Sequence, residues 1–399
     1  MQVDRRAFWL LCAAMNAFAC SNASSLAGSS SMVSSGSGRS SAGSGIAGSA
    51  GNSGTPASGG TAGSTTGVGG GGESAGVGAA ESGLGFDASA EASAATVPDG
   101  GASALDGSPE SAPPPFCSPG DAGDGKYTLT GDAAPPEWQL MPGVTAGKLT
   151  PSASFLSTTF GLHFPYIIYT SANYVSGRPA VFLVVGDGIS TYLNGGFHAA
   201  TVLDNLTASG DMPPTVALFV DPPSDGGDPA TVRVDTYDPP TDKYPTFLMT
   251  ELIPQVITGK YSISSDPDAW AIVGYSASGG AGWNVVWKQP DAFHKFIGAS
   301  ESIGAANVAM YGNVNWVEIV STSPERDVRV SSSSCLNDLV DQRGSWLTII
   351  TNFSMALAAK GYPWRLVIGP NSHYPPIDGE RDFPDALRWT FQGCKFPTN

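Results

Sequence analysis

The run Ala271-Ile272-Val273-Gly274-Tyr275-Ser276-Ala277-Ser278-Gly279-Gly280 is the segment of this chain that most restricts its fold. A short apolar strand ends there in small residues packed around a serine. That is the pattern of a strand turning sharply into a helix, with the serine held at the turn in a strained backbone conformation and small residues two positions to either side letting strand and helix approach. Gly274 and Ser278 meet that demand around Ser276. Ser278, flanked at the same distance by Ser276 and Gly280, is the competing nucleophile, but it would lie two residues beyond the end of the strand. The bland alternative is a Gly/Ser turn with no chemistry, because strings of this type also occur by accident.

Around this turn the chain alternates between two periods. Strands are predicted at Tyr166 to Thr170, Ala180 to Val185, Val216 to Val220, Ala271 to Gly274, Phe296 to Ala299, Val328 to Ser332 and Arg365 to Ile368. Helices are predicted at Pro245 to Lys260, Gly280 to Lys288, Ser345 to Lys360 and Asp385 to Gln392. In the third helix Trp346, Ile349, Ile350, Phe353 and Leu357 recur on one face and read as core. Apolar strands alternating with helices imply an α/β class, a mostly parallel sheet flanked by helices on both faces.

A serine nucleophile on such a turn requires an acid and a histidine later in the chain, in that order. The sequence has 4 His, of which only His294 and His373 follow Ser276. His294 sits where the chain enters the next strand. His373 lies in Pro370-Asn371-Ser372-His373-Tyr374-Pro375-Pro376, a turn-rich loop at the carboxyl end of a strand, where open α/β sheets hold reactive groups. The acid is read as Asp338, in Ser333-Ser334-Cys335-Leu336-Asn337-Asp338-Leu339-Val340-Asp341, with Asp341 second and Glu301 as an alternative that could equally cap a helix near Ile303. The acid must hold the imidazole tautomer and stabilise the imidazolium that forms when His373 takes the Ser276 proton. Position alone makes the Ala277 N–H an oxyanion donor, since it begins the helix after the serine.

These residues carry a family resemblance. From about Asp124 to Gln392 the chain resembles the esterase family that contains enterochelin esterases, other periplasmic trilactone hydrolases and some feruloyl and acetyl esterases. The resemblance rests on Asp124-Gly125-Lys126-Tyr127, Pro135-Pro136-Glu137, Val184-Val185-Gly186-Asp187-Gly188, Val202-Leu203-Asp204-Asn205-Leu206, Met212-Pro213-Pro214, Tyr237-Asp238, Glu251-Leu252-Ile253-Pro254, the serine turn, Gln289-Pro290-Asp291-Ala292-Phe293 and Phe383-Pro384-Asp385-Ala386-Leu387-Arg388-Trp389. It implies an α/β-hydrolase fold and a Ser276, Asp338, His373 triad; no cofactor is expected, and no C-x-x-C or clustered His/Cys spacing suggests a metal. The G-x-S-x-S-G-G string is similar to that of the related mycolyltransferases, where the family itself usually reads G-x-S-x-G-G. By that second resemblance Ile189 is the other oxyanion donor. The family's N-R-S-x-E-Y-D reads Val232-Arg233-Val234-Asp235-Thr236-Tyr237-Asp238 here, which leaves the substrate open. Arg233 and Trp283 are candidates for the pocket wall, although Trp283 also reads as core of the helix after the turn.

The resemblance implies a serine carboxyl-ester hydrolase acting through an acyl enzyme on a siderophore lactone, a carbohydrate ester or another small ester. An acyltransferase of the same fold and an inactive surface-binding protein on the same scaffold are the alternatives.

The flanking segments indicate where such a domain works. Asp4-Arg5-Arg6-Ala7-Phe8-Trp9 followed by an apolar stretch reads as an export signal over residues 1–20; it resembles a twin-arginine signal, and Ala17-Phe18-Ala19-Cys20 resembles a lipobox with Cys20 as the lipid site. The apolar run is shorter than the roughly 20 residues that span a bilayer, so membrane contact is expected only through that lipid. The expected location is the cell envelope or the exterior. Residues 21–115 are nearly all Gly, Ser, Ala and Thr, cannot bury a core, and read as a flexible linker with a span of roughly 50 to 60 Å. Gly69-Gly70-Gly71-Gly72 lacks the preceding strand and following Lys of a phosphate loop. The folded domain is then residues 116–399, large enough for one substantial core. A formal net charge of −16 argues against nucleic acid as a partner. Of 5 Cys, Cys12 and Cys20 belong to the signal, and the remaining three allow at most one bridge: Cys117 with Cys394, or Cys335 with Cys394.

Overall fold

The computed structural model of the chain describes residues 124–303 and 314–394. The export signal, Cys20, the linker and Cys117 lie outside the described residues. The sheet is built from β1 (Gly125–Thr128), β2 (Lys148–Leu149), β3 (Ala153–Leu156), β4 (His163–Thr170), β5 (Val181–Gly186), β6 (Thr215–Val220), β7 (Trp270–Tyr275), β8 (Lys295–Ala299), β9 (Arg329–Asn337) and β12 (Trp364–Ser372), while β10 (Val340–Asp341) and β11 (Gly344–Ser345) form a separate hairpin. Its order is β1-β12-β9-β8-β7-β5-β6-β4-β2, with β3 on β4. From β1 to β6 every pairing is parallel, and β4, β3 and β2 add an antiparallel edge.

The central strands are apolar on both faces because both faces are covered. Along β5, Phe182 and Val184 enter one core, while Val181, Leu183 and Val185 enter the other. This is the two-sided burial that a parallel centre requires. The first core is closed by α2 (Pro229–Tyr237), α3 (Ala277–Lys288), α4 (Trp316–Thr322) and α5 (Trp346–Ala359), and the second by α1 (Ala199–Ser209) and α6 (Ile377–Phe391). The fold is an α/β-hydrolase. Among the described residues no helix is long and apolar enough to cross a membrane.

All seven expected strands are present. The helix expected over 245–260 is instead a chain of short pieces, Lys243–Thr246, Phe247–Leu252 and Ile253–Val256, with π geometry in the middle piece. Pro254 has no N–H to donate, and its ring crowds the preceding turn, which widens ahead of it. The last helix starts at Ile377 rather than near Asp385, so Pro384 lies inside it. Trp283 is completely buried in the first core against Phe296, Phe353, Trp287 and Trp316. It is therefore core and not pocket wall, because its place on α3 faces the sheet. Cys394 is disulfide-bonded and Cys335 is a free, buried thiol, which removes the Cys335 with Cys394 pairing.

Candidate active site

The turn after β7 is as sharp as its small residues allow. Ser276 has φ 56° and ψ −122°, a conformation costly for any residue with a side chain. Gly274 is required there: a Cβ on it would lie 2.4 Å from the Ser278 carbonyl oxygen and 2.5 Å from the Gly279 nitrogen. The strained turn is tied down by Ser276 N–H donating to the Ala299 carbonyl (3.0 Å) and by Ser302 N–H donating to the Ser276 carbonyl (2.8 Å). Ser278, the competing candidate, does not face the imidazole. Its hydroxyl is buried and folded back on Tyr275, donating to the carbonyl (2.9 Å) and accepting from the N–H (3.0 Å).

His373 lies past the end of β12, in the loop expected from sequence. Its Nε2 is 3.1 Å from Ser276 Oγ and its Nδ1 is 2.7 Å from Asp338 Oδ1. The imidazole is enclosed by the rings of Tyr275, Trp346 and Tyr374, with centroids 5.1, 4.9 and 4.3 Å away. Tyr275 Oη also donates to the His373 carbonyl (2.6 Å), and Asp378 accepts from the N–H and side-chain amide of Asn371 (2.8 and 2.7 Å), which fixes the loop. Burial lowers the His373 pKa, and the Asp338 carboxylate offsets only part of that effect. The ring is thus neutral at pH 7 and able to accept a proton through Nε2.

Asp338 is held by four hydrogen bonds. Oδ1 accepts from His373 and the Leu339 N–H (2.8 Å); Oδ2 accepts from Ser300 Oγ (2.9 Å) and Ser334 Oγ (2.7 Å). Burial opposes the charge, but these donors outweigh it and keep the Asp338 carboxyl below its ordinary range. Ser334 of β9 and Ser300, where φ is 41°, therefore support the acid. Sequence reasoning missed this role, although the Ser331 to Ser334 run was its one visible signal.

The other candidates are accounted for elsewhere. Asp341 forms a fork with Arg343, whose Nη1 reaches Ser302 Oγ (2.6 Å) and whose guanidinium lies 4.2 Å from the Trp346 ring centroid. Glu301 is buried beneath the serine turn and accepts from Ser332 Oγ (2.5 Å), not from His373. His294 lies before β8, at the end of the sheet opposite the triad. Its Nδ1 faces Asp268 and its Nε2 the Pro290 carbonyl, both at 2.8 Å, so both ring nitrogens meet acceptors. Those contacts raise its pKa despite burial and favour a structural imidazolium.

Ala277 begins α3, and as a first-turn residue its N–H has no intrahelical partner. The expectation for Ile189 fails. Its N–H donates to Asp221 Oδ1 (2.8 Å), and Ser190 N–H donates to the same carboxylate. Asp221 follows β6, and β6 and β7 lie on opposite sides of β5, so Ile189 N–H is directed away from the serine. Arg233, on α2, does reach the site. It grips Asp187 through Nε (2.9 Å) and Nη2 (2.6 Å), and Nη2 also approaches the Tyr275 carbonyl at 3.4 Å.

No protein-family model matches the sequence, and no curated protein matches it. Solved structures do share the fold. The enterobactin esterase of Shigella flexneri, crystallised with 2,3-dihydroxy-N-benzoyl-glycine, superposes with a TM-score of 0.50 at 18% identity, covering 64% of this chain and 62% of that one. A ferulic acid esterase gives 0.50 at 19% identity, covering 62% of this chain and 99% of its own. The feruloyl esterase module from Clostridium thermocellum, complexed with sinapinate, gives 0.51 at 14% identity, covering 70% and 99%. The chain thus spans less than two thirds of the length of the Shigella enzyme.

Proposed function

We propose that this protein is an exported serine carboxyl-ester hydrolase, acting by two-step acyl transfer on a small ester such as a siderophore lactone or a carbohydrate ester. The observation that carries the proposal is the unbroken Ser276, His373, Asp338 relay, with contacts of 3.1 and 2.7 Å, on a serine held at φ 56°. Ser276 Oγ attacks the ester carbonyl while its proton passes to His373 Nε2. Asp338 holds the Nδ1–H tautomer and stabilises the imidazolium. The proton then goes to the departing alcohol, and water repeats the sequence on the acyl enzyme.

The exposed ring of Tyr374, packed on His373, favours an apolar or aromatic group beside the scissile bond. The neighbours named for enterobactin and ferulic acid suggest where to start a substrate screen. Export through the 1–20 signal, with lipid on Cys20, is part of the same proposal, since the linker would carry the domain clear of a membrane. The test is hydrolysis of short aryl esters, feruloyl esters and a trilactone by the full chain, with and without an added sugar or alcohol acceptor. Hydrolysis that Ser276→Ala abolishes supports the reading. Transfer to the acceptor in preference to water would replace it with an acyltransferase, and a folded parent that turns over none of these esters would refute it.

A further inference from the structure

Three loops lead into β7, β8 and β9 at the end of the sheet opposite Ser276, and each carries a side chain able to hold a metal ion. Asp268 stands two residues before β7, His294 one residue before β8 and Asp327 two residues before β9. The strands are neighbours, with Ala271 beside Lys295 and Lys295 beside Arg329, so residues far apart in the chain arrive together. Backbone hydrogen bonds hold the loops in place: His294 N–H donates to the Pro267 carbonyl (3.2 Å) and Arg329 N–H to the His294 carbonyl (2.8 Å). Asp268 N–H donates to Asp266 Oδ1 (2.9 Å) at the start of its own loop.

One ligand atom from each of Asp268, His294 and Asp327 lies within 4.8 Å of the other two. His294 Nδ1 is 2.8 Å from Asp268 Oδ1 and 3.9 Å from Asp327 Oδ2. Ligands bound tetrahedrally at the bond lengths of zinc lie roughly 3.3 Å apart, midway between those separations. The Asp327 side chain is 79% exposed and free to swing inward, while His294 and Asp268 are 17% and 23% exposed. His294 Nε2 faces the Pro290 carbonyl at 2.8 Å, the outer contact that fixes a metal-ligating ring and leaves Nδ1 for the ion. The ammonium of Lys295 turns toward the Phe391 ring, 5.9 Å away, and makes no ion pair with either carboxylate.

We infer that Asp268, His294 and Asp327 form a binding site for a divalent transition-metal ion of the zinc type, with water completing its coordination. Two carboxylates and a neutral imidazole balance the charge of the ion. The nitrogen ligand favours zinc over calcium and magnesium, which take oxygen ligands. The ion takes the place of the proton that Nδ1 otherwise shares with Asp268, and that proton leaves to solvent. Binding ties together the loops ahead of three adjacent strands, remote from the ester chemistry.

The test is calorimetric titration of the full chain with zinc chloride near neutral pH, after removal of metal with a chelator, beside thermal melts with and without the ion. The parent should take up one zinc ion per chain at this site and melt at a temperature that rises with zinc concentration. Calcium and magnesium should do neither. His294→Gln should abolish the uptake, and Asp327→Ala should weaken it on the order of tenfold or more. His163→Gln, at the exposed His163 and Asp225 pair that lacks a third ligand, should bind as the parent does. If His294→Gln does not fold, Asp327→Ala decides, since its side chain is 79% exposed. Uptake unchanged by these two substitutions would mean an adventitious ion only and overturns the inference, as does a parent that binds no zinc. Neither result bears on the hydrolase reading.

Discussion

Replacing Glu301 by Gln should make the protein less sensitive to rising pH. Glu301 is 1% exposed beneath the serine turn, and its Oε2 has no hydrogen-bond partner. Burial raises its pKa from 4.5 to about 7, with the Ser332 hydroxyl and its own backbone opposing and Asp338 reinforcing. An unfolded chain ionises this carboxyl near 4.5, whereas the native protein holds it neutral until about 7. Between those values the native state binds more protons, so stability falls as pH rises and levels off above the native pKa. A displacement of that size corresponds to ~3 kcal/mol at full ionisation. Gln keeps the volume and the acceptor for Ser332 but cannot ionise. Denaturant unfolding at pH 5 and pH 8 should therefore show the parent losing ~2 to 3 kcal/mol more than Glu301→Gln over that interval. Equal losses in the two proteins would refute the claim that a neutral acid is stored beneath the turn.

Asp338→Asn should lower kcat by on the order of 10⁴ with little change in the melt, because the Asn amide favours the wrong imidazole tautomer; steady-state kinetics beside a thermal scan checks it. The pH profile of kcat/KM should rise with pH to a plateau, with a midpoint below the ordinary histidine value of 6.5, since burial keeps His373 neutral and only the neutral ring can take the Ser276 proton. A midpoint at or above 6.5 would mean that the ring is not enclosed as described. Trp283→Ala should cost about 3 to 5 kcal/mol in chemical denaturation while leaving KM near the parent value, as expected of core rather than pocket.

Sequence carried the centre of the fold because its strands are short apolar runs whose two faces are both buried, and such runs need no partner to be recognised. It failed where polar residues are buried. In α1, Ala199, Val202, Leu203 and Leu206 do form a buried stripe, but Asp204 and Asn205 are buried beside it, where Asp204 accepts from Tyr169 Oη and Gly147 N–H and Asn205 braces Met141, Glu137 and Gln139, so polar letters masked the helix. The expected helix omits the first turns of α6; their charged Asp378, Glu380, Arg381 and Asp382 are all buried, and Arg365 forks onto Asp382. That Ser276, Asp338 and His373 come together was legible from chain order and from the loops that hold them. The direction of the Ile189 N–H was not, because it depends on Asp221 at the end of a neighbouring strand, and Arg233 could be placed near the site but not joined to Asp187. The contribution of Ser300 and Ser334 to the acid likewise appears only when β8 and β9 are brought side by side.

The central claim is that Ser276 is a nucleophile activated by His373 and Asp338. It is tested most directly by treating the full chain with a fluorophosphonate and mapping the adduct by mass spectrometry, in the parent and in Ser276→Ala, Ser278→Ala and His373→Ala. The account predicts one phosphonyl group on Ser276 in the parent and in Ser278→Ala, none in Ser276→Ala, and labelling slowed by orders of magnitude in His373→Ala. An adduct on Ser278, or labelling that survives Ser276→Ala, would contradict it.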